Sequence, residues 1–76
     1  MTNMINEKLH NIGNVLRMYV AAGDLDSAKY KVGQAYGYLE ALLHLDIIGY
    51  GQYADALDIF DEIAANKRDD VPNRFL

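Results

Sequence analysis

Apolar residues in this chain recur at intervals of three and four from Ile5 to Ala64, and the only proline, Pro72, lies beyond them. That pattern commits the chain to helices: a 3.6-residue turn gathers such positions on one side, whereas a strand needs alternation. A proline within the run would remove a backbone donor and clash with the preceding turn, and there is none.

The pattern divides into three segments. Ile5, Leu9, Ile12, Leu16 and Tyr19 trace the apolar face of a first helix. Thr2 or Asn3 is its expected N-cap, and Ala21-Ala22-Gly23 reads as its end, with glycine taking the left-handed position. Asp24 follows as the carboxylate cap of a second helix carrying Leu25, Ala28, Val32, Ala35, Leu39 and Leu42. A link this short predicts that the two helices are antiparallel neighbours. If they are, Gly13 falls near Gly33 or Gln34. The second helix is expected to end near Leu45 or Asp46, with Gly49 and Gly51 relieving the bend that follows. A third helix is expected from Tyr50 to Asn66, with Tyr53, Ala56, Leu57, Phe60, Ile63 and Ala64 inward. The predicted architecture is all-α: a three-helix domain, residues 1–66, built on an antiparallel helical hairpin. Residues 67–76 are expected to fray as a flexible polar tail, unless Phe75 and Leu76 find something to dock on.

Length then bears on stability. A chain of 76 residues buries only about 60% of its unfolded surface, so its core alone is marginal. Cysteine is absent and histidine occurs only at His10 and His44, which excludes disulfides and leaves no structural zinc set. Association remains as the stabilising device, and a helical-bundle homo-oligomer is expected. The formal charge of −4 argues against direct nucleic-acid binding. No run resembles a secretory signal or a membrane span, so a cytoplasmic location is expected and no membrane partner.

Gly33, Gly37 and Ala41, spaced four apart in the second helix, are the least economical choice in the sequence. Each interior glycine costs roughly 1 kcal/mol against alanine. The spacing makes a bare strip on which another backbone can lie closely. One reading is that Gly13 and Gly33 merely let the first two helices cross closely. The other makes Gly33, Gly37 and Ala41, with Tyr30, Tyr36 and Tyr38, a subunit or partner interface. Six tyrosines against two phenylalanines and no tryptophan suit such a half-wet surface.

Asp55, Asp58 and Glu62 share one face of the third helix at offsets of zero, three and seven. They read either as a solvated face or as a docking surface for a basic protein partner. Lys29 and Lys31 with Tyr30 and Tyr36 supply an alternative, a small anionic ligand held at a subunit seam. Catalytic material is sparse. Besides tyrosine the hydroxyls are Thr2 and Ser27, and no histidine lies within helical reach of Ser27. Glu40 and His44 are one turn apart but make only half a metal site. Gly49-Tyr50-Gly51 lacks the lysine and hydroxyl of a phosphate loop. No enzyme activity, metal or cofactor is expected.

Two resemblances accompany this reading. Gly23-Asp24-Leu25-Asp26-Ser27-Ala28 resembles the turn between paired helices of tetratricopeptide repeats, over six residues and without a second copy, which makes it shared turn chemistry. Gly37-Tyr38-Leu39-Glu40-Ala41-Leu42, followed by Ile47-Ile48-Gly49-Tyr50 and Tyr53, is similar to a helix-turn-helix pattern of small acidic accessory proteins of phages and mobile elements. That resemblance implies a protein that inhibits a host system by binding one of its components. It carries no functional residues over.

Overall fold

A computed structural model describes residues 2–76, with side chains from Asn3 onward. It contains three helices, α1 (Thr2–Ala21), α2 (Leu25–His44) and α3 (Tyr50–Ala64), and among the described residues no strand. Each helix packs against both others. Tyr36 of α2 reaches Asp61 of α3, while Leu25, Ala28 and Val32 share a groove with Ala64, so α2 and α3 run in opposite senses.

All three helices stop by the same device. The two amides past each C-cap turn back to carbonyls in the last turn: Gly23 to Val20 at 3.1 Å and Asp24 to Tyr19 at 2.9 Å after α1. Asp46 bonds to Leu43 and Ile47 to Leu42 after α2, and Asn66 to Ile63 and Lys67 to Glu62 after α3. The pattern needs one residue in the left-handed region, which glycine and asparagine enter most cheaply. Gly23 (φ 73°) and Asn66 (φ 57°) fit that preference, and Asp46 (φ 56°) is the third. The bend after α2 is therefore made at Asp46, not at the glycines expected to make it. Gly49 is instead the N-cap position of α3, its amide donating to Gln52 Oε1 at 3.0 Å.

Asp24 caps α2 as expected, accepting the Ser27 amide at 3.2 Å. The bond from Ser27 holds the carboxyl of Asp24 below its ordinary value. Its contribution is thus present at neutral pH and lost as pH falls through that lowered value. At the other end of the chain, Thr2 and Asn3 both lie inside α1 and do not precede it.

The core is one cluster: Ile5, Leu9, Ile12 and Leu16 from α1, Ala28, Ala35, Leu39 and Leu42 from α2, Ile48 from the connection, and Ala56, Phe60 and Ile63 from α3. Leu25, read as part of the inward face of α2, is 66% exposed, because α3 stops at Ala64 before it can cover the first turn of α2.

Residues 67–76 lie back against the helices instead of extending from them. Phe75 is only 6% exposed and stacks on Phe60 with ring centroids 4.8 Å apart. Asn6, 3% exposed, accepts the backbone amides of Phe75 at 2.7 Å and Leu76 at 3.0 Å through its Oδ1. His10 Nδ1 donates to the Pro72 carbonyl at 2.9 Å while its Nε2 accepts from Asn14 at 3.0 Å, a pairing that a neutral ring satisfies on both sides. Arg17 adds a bond to the Asp69 carbonyl at 3.3 Å. Gly13 makes room for the segment: a Cβ there would lie 2.6 Å from Val71 Cγ1. This glycine thus serves the tail, not a close crossing of α1 and α2.

Candidate functional site

The outer face of α2 is the surface with the most unexplained composition. A Cβ built on Gly33 or Gly37 meets no atom within 4 Å, so neither glycine is required by anything inside the chain. The reading in which Gly13 and Gly33 allow a close helix crossing is accordingly overturned. Ala41 is exposed on the same side, and Tyr30 beside the strip is 77% exposed. Four of the six residues expected at an interface therefore point outward together.

Tyr36 and Tyr38 do not join them. Tyr38 is half-buried against the core, and Tyr36 donates its hydroxyl to Asp61 of α3. That bond, with burial and the nearby charges of Asp61 and Asp58, pushes the Tyr36 hydroxyl up from 10.0 to about 12. The neutral phenol is the form that holds α2 to α3, so its contribution is complete below pH 10 and is lost as pH rises toward 12. In a spectrophotometric titration one of the six tyrosines should ionise after the rest, and Asp61→Asn should abolish the lag. Tyr36→Phe should cost about 1 kcal/mol at neutral pH, the usual net worth of such a bond. Six indistinguishable ionisations would remove this bond from the account.

Asp55, Asp58 and Glu62 are all exposed along α3, as their spacing predicts. Asp58 and Glu62 join Asp61, Ala65 and Lys67 around a shallow open depression. Asp61 falls outside the zero, three and seven offsets of that face. Its offset of three from Asp58 signals the same acidic side, but its bond to Tyr36 depends on how α2 and α3 meet.

The lysine–tyrosine set does not converge within one chain. Lys31 donates to Gln34 at 2.8 Å, Tyr36 is held by Asp61, and Lys29 lies at the rim of an apolar groove of about 340 Å³ with Leu25, Ala28, Val32 and Ala64. Glu40 and His44 are exposed, and among the described residues no three metal-binding side chains gather. No described helix is long and apolar enough to cross a membrane.

Fold and surface together define an all-α three-helix domain with one uncovered helix face and one acidic face. No known protein family, curated protein or solved structure matches the chain.

Proposed function

We propose that this protein is a non-enzymatic interaction module acting in the cytoplasm. Its α1 and α2 form an antiparallel hairpin, the outer face of α2 makes a homo-oligomer, and the acidic face of α3 docks on a protein partner. The resemblance to accessory proteins of phages and mobile elements adds that this docking inhibits the partner.

The observation that carries the reading is the pair of outward glycines. Gly33 and Gly37 weaken α2 by roughly 1 kcal/mol each, and no contact within the chain compensates for them. Close approach by another backbone would offset that cost. Tyr30, exposed beside the strip, offers large contact area at little rotamer cost. On α3, Asp55, Asp58 and Glu62 have no basic residue among them from Tyr50 to Asn66, which suits a cationic partner and makes binding salt-dependent.

Replacing Gly37 with leucine tests the interface. The substitution should raise helix propensity, leave the circular dichroism of the domain intact and dissociate the oligomer. An unchanged mass by light scattering, with unchanged partner binding, would overturn the assignment of this face.

A further inference from the structure

The glycines alone say nothing about what lies on them; the order of the charges around them does. Asp26, Tyr30, Gly33, Gly37, Glu40 and His44 are all exposed and follow one another at four, three, four, three and four residues, the spacing that keeps side chains on a single seam between two helices. Lys29 and Glu40 fall on one edge of this seam, Tyr30 and Ala41 on the other. Among the described residues the ion pairs are Arg17–Asp69 and Arg68–Asp70, so the charges of the seam are not paired within the chain.

We propose that the occupant of this face is the α2 helix of a second copy, packed antiparallel about a two-fold axis passing between Gly33 and Gly37. The proposal rests on the reading of the α2 face as an interface and adds its partner and register. In this arrangement Gly33 lies against Gly37 of the second copy at the centre, where the missing side chains let the backbones close. Lys29 meets Glu40 of the second copy along one edge. On the other edge the Tyr30 ring lies over Ala41 of the second copy. At each end Asp26 faces His44 of the second copy. Two-fold symmetry repeats every one of these pairs.

Other arrangements of the same face fail. A parallel pair sets Asp26 on Asp26 at the middle of the seam and carries Lys29 and Glu40 to opposite edges, where neither meets an opposite charge. Sliding the antiparallel pair by seven residues preserves the seam, but in either direction it carries one end of the stripe past the end of the opposing helix, which spans only Leu25–His44. The register with Gly33 on Gly37 is the one that overlaps the helices nearly end to end and sets Lys29 against Glu40 of the second copy.

The absence of cysteine from the chain allows a direct test. Asp26→Cys and His44→Cys proteins are prepared singly and mixed under mild oxidation. The mixture should cross-link as a heterodimer, because the two positions face each other within the ~7 Å between Cα atoms that a disulfide spans. Asp26→Cys alone should not, since its two copies lie about 27 Å apart along the helices at 1.5 Å per residue. As a second measurement by sedimentation equilibrium, Lys29→Glu and Glu40→Lys should each weaken the dimer about tenfold, and the double charge swap should restore it. Cross-linking of Asp26→Cys with itself, or a double swap no better than the singles, would overturn the register. If Gly37→Leu still dissociated the oligomer, the α2 interface would survive that result. A chain that is monomeric with and without Gly37→Leu would overturn both.

Discussion

Replacing Phe75 with alanine should lower the unfolding free energy by about 3–5 kcal/mol, the range for deleting a large buried aromatic side chain. The residue is eleven positions beyond the last helix yet is only 6% exposed, and its ring stacks on Phe60 at the centre of the core. Loss of the ring leaves a cavity against Phe60 and also releases the segment that carries it. Domains of this size have total stabilities of roughly 4–11 kcal/mol at the usual free energy per residue. The variant should therefore lose a large share of its stability, with its thermal midpoint lowered by roughly 20–30 °C. Leu25→Ala provides the contrast. That side chain is 66% exposed, and its loss should change stability by no more than about 0.5 kcal/mol. Urea denaturation of both proteins checks the pair. A Phe75→Ala protein as stable as the parent would show that residues 67–76 are not part of the folded unit.

Asn6→Leu should cost about 2–4 kcal/mol although leucine fills much the same space in an apolar surrounding. Its Oδ1 is the acceptor for two backbone amides, those of Phe75 and Leu76, and the Phe75 amide is buried. Removing the acceptor strands donors that have left water behind, at about 1–3 kcal/mol for each buried one. The tail can evade this penalty only by undocking, which exposes Phe75. The Asn6 and Phe75 substitutions therefore act on one event, and the double variant should lose clearly less than the sum of the two singles. Amide hydrogen exchange should show the Phe75 and Leu76 amides losing protection in Asn6→Leu while the middle of α2 keeps most of its own. Strict additivity, or retained protection at both amides, would contradict the account of the tail as a single latch.

These two residues also mark where reading the sequence stops. Leu9, Ile12 and Leu16 were legible as core because helical periodicity aligns them on one side. Gly23 and Asp24 were legible as an end and a beginning because each performs a local task, a left-handed turn and an N-cap. Asn6 gave no signal: a polar residue one position past an apolar one looks like the edge of a solvated face. Only the arrival of Phe75, separated from it by most of the chain, makes it a buried acceptor. Gly13 is legible as a small residue for close packing, but its nearest neighbour is Val71, not α2. Its spacing along α1 holds no information on which element fills the space it leaves.

The candidate site divides in the same way. The spacing of Gly33, Gly37 and Ala41 placed them on one strip, and the helix geometry that does so is local. Whether the strip turns inward or outward depends on which sides of α2 are covered by α1 and α3, and that is decided by packing. Tyr36 and Tyr30 are six residues apart on the same helix, yet one is tied to Asp61 and the other stands in the open. The sequence by itself determined the number of helices, where they begin and end to within a residue or two, and most of the buried face, because each follows from interactions spanning a turn or two of chain. The tertiary structure alone decided that the last ten residues close the core, that Gly13 serves them, and that the outer face of α2 is left uncovered. Those outcomes depend on which distant segments fill the space between helices, and close packing settles that only when the whole chain is folded.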